Sequence, residues 1–201
     1  IPNEGKDIIV GWQAPQDGLY KIDATHWSEW PTGSGFSHTI SLYHENKLVE
    51  QFTRNNDNTP QRLEAEVFVR KGEFLYCRMG ANNKLNATQL LKLRVTLWGE
   101  GEAGEKEEEI QEEPTGKYRL GSFWNLAEDM PQAAYASNQG DPKTQYSTNE
   151  KIWFYKYIDW QEDEILKAEF LPTTRPWADR DYGYNGWGIT PGSPFGDVGF
   201  F

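Results

Sequence analysis

The stretch Gly18-Leu19-Tyr20-Lys21-Ile22-Asp23-Ala24-Thr25 decides the fold. Tyr20, Ile22 and Ala24 fall on one side of an extended chain, Lys21 and Asp23 on the other. That period of two belongs to a strand with one dry face and one wet face. The same rhythm returns through the first half of the chain. Residues 63–69 set Leu63, Ala65, Val67 and Val69 against Glu64 and Glu66. Residues 91–97 set Leu91, Leu93, Val95 and Leu97 against Lys92, Arg94 and Thr96. Residues 7–12 are a β-branched run, and residues 36–44 turn Ile40 and Leu42 inward. Turn-forming clusters separate these segments: Pro15-Gln16-Asp17-Gly18, Glu45-Asn46, residues 55–60, Lys71-Gly72 and residues 81–84. No helical period survives counting. The expected fold is all-β: antiparallel sheets with almost no helix, and Tyr20, Ile22, Ile40, Val67, Leu93 and Val95 in one core.

Composition agrees with many short strands. Gly (19) and Pro (11) supply the turns, and aromatics make up 14% of 201 residues. A disordered chain would lack those rings. The net charge of −11 argues against nucleic acid and anionic membrane surfaces as partners, because both would be repelled. No Lys/Arg cluster occurs; Lys92 and Arg94 alternate on one strand. No run approaches the ~20 apolar residues of a membrane span, so no membrane insertion is expected. A single cysteine, Cys77, lies in the apolar run Phe74-Leu75-Tyr76-Cys77; it reads as a buried, inert thiol and leaves no internal disulfide. Ile1-Pro2 is not an initiator start, so the chain is expected to be processed or an excerpt.

The text changes at residue 100. Residues 100–113 hold eight Glu and one Lys, a net of −7, followed by Pro114-Thr115-Gly116. Such a run is a self-repelling linker, and a metal-binding acidic loop is the sharper alternative. Beyond it, residues 118–124 and 150–158 read as strands, the second carrying Ile152, Trp153, Phe154, Tyr155 and Tyr157. Residues 164–171 read as a strand with a short helix as alternative. Residues 179–201 carry too many Gly, Pro and aromatics for a regular element before Asp197. The expected organisation is a sandwich over 1–99, an acidic linker over 100–117, and a second β-rich segment over 118–201. That last segment would complete a sandwich with residues 1–99 of the same or a neighbouring copy.

Trp12-Gln13-Ala14-Pro15-Gln16-Asp17-Gly18-Leu19-Tyr20-Lys21-Ile22 resembles the opening of the carbohydrate-binding-module-like jelly roll of large secreted bacterial surface proteins. The hairpin from residues 63–69 into Lys71-Gly72-Glu73-Phe74-Leu75-Tyr76 is similar to that family's, with Glu73 where Asp is usual. Residues 90–98 look like its closing strand. The resemblance covers residues 7–98 and implies an antiparallel jelly-roll β-sandwich in an extracellular, cell-surface setting. In that family an aromatic strand and a Trp/Gly/Pro-rich segment often precede the Trp-x-Ala-Pro strand; here they follow it. Reading Phe201 directly into Ile1 restores the order. Ile1, Val198, Phe200 and Phe201 are therefore expected at an assembly joint, in a tandem array or by strand donation between copies.

Catalytic chemistry is poorly supported. Of three histidines, His38 and His44 lie six apart on one strand, too far to share a metal. His26 reads as a loop contact. A triad from Ser28 or Ser34, His26 and Asp23 lacks a nucleophile elbow. Residues 177–187 offer Asp179, Asp181 and Asn185 as oxygen ligands for calcium, the one cofactor expected if there is any. Trp27, Trp30, Tyr182, Tyr184 and Trp187 are candidates for stacking on sugars or anchoring an interface. The expected function is a non-enzymatic extracellular structural or adhesive module, the repeat unit or subunit of a filament or layer whose partners are further copies of itself. The alternative is a carbohydrate-binding accessory module of a glycan-degrading enzyme, with polysaccharide as partner.

Overall fold

The computed structural model describes residues 6–28, 37–55, 59–81, 89–100, 117–129, 151–171, 174–179, 184–189 and 197–200. Thirteen strands lie among them: β1 (Lys6–Gln13), β2 (Gly18–Ser28), β3 (Ser37–His44), β4 (Lys47–Asn55), β5 (Gln61–Val69), β6 (Phe74–Ala81), β7 (Gln89–Gly99), β8 (Phe123–Asn125), β9 (Trp153–Asp159), β10 (Glu169–Phe170), β11 (Thr174–Asp179), β12 (Tyr184–Ile189) and β13 (Asp197–Phe200). A 3-10 turn over Ile165–Lys167 is the only helical element described. The chain is an all-β sandwich. Its first sheet runs β10-β9-β1-β6-β3-β4 and its second β11-β12-β13-β7-β2-β5, with β8 also paired to β7. All described pairings are antiparallel except β13 with β7.

The alternation read from the sequence faces the core as expected. Tyr20, Ile22, Ile40, Leu93 and Val95 are buried in one cluster, and Val67, on the edge strand β5, packs partly buried against it. The large rings concentrate at one place. Trp12 meets Tyr20 edge-on at 4.8 Å and Trp124 at 5.3 Å, and Tyr118 meets Trp124 at 5.1 Å. The Tyr20 hydroxyl donates to the Gln16 carbonyl at 2.8 Å, pinning the turn that precedes β2. Gln16 in turn accepts from the Tyr118 amide at 2.8 Å and donates to its carbonyl, so the chain emerging from the acidic run is tied to that same turn.

Strands from both sides of the acidic run share both sheets. β1 lies between β6 and β9, and β7 pairs with β2 on one side and with β8 and β13 on the other. Three expectations change. Residues 118–124 do not form one strand: Gly121, at φ +86°, makes a turn whose amide donates to Leu97, and only Phe123–Asn125 is extended. Residues 164–171 split into the 3-10 turn and the two-residue β10, because Ile165 and Ala168, three apart, are both buried. Residues 174–189 contain two regular strands, β11 and β12, in a hairpin. Pro176 is accommodated there because β11 is an edge strand, where a missing amide donor costs no ladder bond.

The first sheet is covered on its outer face as well. Ile9, Tyr76, Ile158, Ile165 and Ala168 form a second apolar cluster beneath residues 159–168. Arg78 fastens that segment. Its Nε donates to buried Asp7 at 2.7 Å, its Nη1 to the Glu162 carbonyl at 2.7 Å and its Nη2 to the Trp160 carbonyl at 3.1 Å. The outer face of the second sheet, by contrast, carries charged side chains interleaved with aromatic ones.

Candidate functional site: the outer face of the second sheet

β5, β2 and β7 lie side by side with β8 beyond, and their outward positions form rows across the sheet. Glu66, Lys21, Thr96 and Phe123 make one row; Glu64, Asp23, Arg94 and Asn125 make the next; Arg62, Thr25 and Lys92 make the third. Trp27 follows at the end of β2. At the other end of the face a bulge between Leu19 and Tyr20 places Trp98, which stands 56% exposed. Trp27 is half-buried. Eight residues of β7 separate the rung facing Trp27 from Trp98, about 27 Å at ~3.4 Å per residue.

Three rings on this face carry a cation. Lys21 Nζ lies 5.6 Å from the Trp98 centroid, Lys92 Nζ lies 5.7 Å from that of Trp27, and the Arg94 guanidinium carbon lies 3.9 Å from that of Phe123. On the β5 side the charges pair with one another. Arg62 donates through Nε to Asp23 at 2.9 Å, forms a second close contact to it through Nη2, and reaches Glu64 at 2.7 Å. The Asp23 hydrogen bonds raise the Arg62 pKa further.

Of the expected sugar-stacking residues, Trp27 is on this face. Trp30 and Tyr182 lie outside the described residues. Tyr184 and Trp187 are in β12, opposite Asp179 and Pro176, and only their backbone is described. Of the calcium ligands, Asp181 lies outside the described residues. Asp179 opposes Tyr184 while Asn185 opposes Ala178, so the two occupy successive rungs of the hairpin. Among the described residues no group of three or more His, Cys, Asp or Glu is set to hold a metal. Of the joint residues, Val198 opposes Trp187 and Phe200 opposes Leu91; Ile1 and Phe201 lie outside the described residues.

His26 is not a loop residue. It lies within β2, fully buried, with its ring 5.9 Å from the buried ring of His38 across the sandwich. Asp23, an odd number of residues away, is on the opposite, solvent face with Arg62, so the two do not meet in a triad. His44 contacts Glu73 at 2.9 Å near the far end of β3, and hydrogen bonds from the Arg70 amide and from His44 lower the Glu73 pKa. An open hollow of about 340 Å³ beside Pro15, Lys71, Gly72 and Lys151 is lined mostly by apolar surface.

Trp98, Phe123 and Arg94 are the members of the face that the aromatic-loop reading missed. The signal was present for two of them. Continuing the outward series Lys92, Arg94, Thr96 by one more period reaches Trp98. No protein-family model matches the chain, and no curated protein or solved structure does either.

Proposed function

We propose that the protein is a non-enzymatic, extracellular adhesive module that holds an extended polysaccharide on the outer face of its second sheet. The observation that carries this reading is the pair of indole rings, exposed Trp98 and half-buried Trp27, about 27 Å apart along one sheet face. Thr25, Thr96, Asp23 and Asn125 lie between them. Indole faces stack on the apolar faces of sugars, and hydroxyl, carboxylate and amide groups exchange hydrogen bonds with sugar hydroxyls. A straight row with a ring at each end suits a polymer better than a small molecule, which would need a concave site. The resemblance of residues 7–98 to carbohydrate-binding-module-like jelly rolls points the same way. The test is affinity electrophoresis against a panel of soluble polysaccharides. Trp27→Ala and Trp98→Ala should each weaken binding about tenfold, since ~1.4 kcal/mol per ring is a tenfold change. Unchanged retention by the double variant would remove the reading.

End-to-end assembly of copies is the second reading, and one observation favours it. Among the described residues, the β11–β12 hairpin is joined to the rest of the second sheet through β13, which is held by two rungs on each side. A unit joined so narrowly can pair with β7 of a neighbour as readily as with its own. Light scattering against protein concentration tests this: a ladder of multiples supports exchange, and a strict monomer at millimolar concentration opposes it.

A further inference from the structure

Resting on the polysaccharide reading above, we propose that the polymer held on this face is anionic, a polyuronate whose carboxylates meet Lys21, Lys92 and Arg94. The protein carries a net charge of −11, so a cationic surface on it is a local construction. Lys92 and Arg94 share one face of β7, and the fold brings Lys21 diagonally beside Arg94 across the β2–β7 ladder. Diagonal neighbours on one face lie ~7–8 Å apart, and next-but-one residues of a strand ~7 Å apart. The three cations thus form a row along the face, Lys21 at the Trp98 end and Lys92 at the Trp27 end.

Their partners set them apart from the other charges of the sheet. Asp23 and Glu64 are both engaged by Arg62 on the β5 side. No ion pair engages Lys21, Lys92 or Arg94 among the described residues; each rests on an aromatic ring instead. A cation over a ring keeps its full charge and its outward hydrogen-bond donors, so it can still take a carboxylate. The face is therefore divided: Arg62 holds Asp23 and Glu64 toward the β5 side, Glu66 stands across the ladder from Lys21 with no ion pair among the described residues, and Lys21 on β2 and Lys92 and Arg94 on β7 lie over the rings. A neutral sugar chain gains nothing from that division. A chain with regularly spaced carboxylates meets a cation wherever it stacks on a ring. Screening acts over about 8 Å at physiological salt, so contact pairs decide affinity.

The experiment compares polygalacturonate and alginate with the neutral polymers galactan and mannan by titration calorimetry at 50 and 300 mM salt. The expected result is binding to a polyuronate that weakens at least tenfold in the higher salt. Lys21→Gln, Lys92→Gln and Arg94→Gln should each weaken it severalfold, with unchanged circular dichroism, and Lys92→Arg should restore it. Binding to a neutral polymer with equal or greater affinity, insensitive to the three Gln variants, overturns the anionic inference and leaves the polysaccharide reading standing. Binding to none of the four polymers overturns both. Self-association abolished by the Gln variants also overturns the inference, because the cations would then serve a second copy.

Discussion

Replacing Arg78 by Met tests how the outer face of the first sheet is held. The side chain keeps most of its length, so packing against Tyr76 and Ile9 changes little. What is lost is the guanidinium: its bond to Asp7 and those to the carbonyls of Glu162 and Trp160. Removing one partner of a buried ion pair costs about 3–5 kcal/mol, because the other charge remains in a poor solvent. With an m-value near 2.5 kcal/mol/M, the urea midpoint should fall by roughly 1.5 M. The deficit should depend on pH with a definite sign. Burial raises the Asp7 carboxyl above its ordinary 3.8, and Arg78 pulls against that rise. A raised folded pKa means the folded protein prefers the protonated acid, so the burden of an ionised Asp7 is present at neutral pH and relieved as pH falls through the folded pKa. Arg78→Met removes the opposing pull, so its deficit should narrow as pH falls from 7 toward the carboxylate range. Tryptophan fluorescence in urea at several pH values measures this. Asp7→Leu combined with Arg78→Met should lose at least ~2 kcal/mol less than Arg78→Met alone, since an apolar pair replaces an ionic one. A loss below ~1 kcal/mol, or a deficit that does not move with pH, would refute the argument.

Cys77 should be inert in the native protein: burial pushes its thiol up to about 12, and only the thiolate reacts. A disulfide reagent at pH 8 should modify it more than a hundredfold faster in urea than in buffer, and equal rates would contradict its burial. Gly18→Ala should cost about 1–3 kcal/mol in a thermal melt. A new Cβ there would lie 2.4 Å from the Leu97 Cδ1 and 3.2 Å from the Gly99 carbonyl, and Leu97 has no free space. A neutral result would mean that the bulge at Leu19 relaxes freely.

What the sequence made legible follows from contrast between faces. β2, β5 and β7 each have one wet side, so Lys21, Glu64 and Arg94 alternate visibly with Ile22, Leu63 and Val95. β9 lacks that contrast because it is buried twice: Trp153 and Tyr155 lie in the main core, Phe154 beneath the edge segment. Its run of rings still announced a strand, but not which face met which layer. β4 reads poorly because it is an edge strand whose residues are mostly polar. β11 and β12 were hidden because Gly and Pro signal turns, and nothing local reveals that Pro176 would stand on an edge. His26 was misplaced for a related reason. Its neighbours Trp27 and Ser28 suggest a loop, and only the continuation of the Tyr20, Ile22, Ala24 series would have put it inside. The candidate face was legible residue by residue, but its division into paired and open charges depends on register between strands far apart in sequence.

That β1 sits between β6 and β9 has a consequence for the time the protein needs to reach its native state. Lys6 pairs with Asp159, a partner roughly 150 residues away, and Leu90 with Gly199, roughly 110 away. Loop-closure entropy must be met before such contacts give anything back, so topologies of this kind fold in milliseconds to seconds or more slowly, well behind helical chains of equal length. One edge of β1 must wait, with its amides and carbonyls unpaired, until roughly 150 further residues have been made. During synthesis the protein is therefore a long-lived nascent chain with an open template for mispairing, and its yield should respond to chaperones and to temperature more steeply than its final stability does.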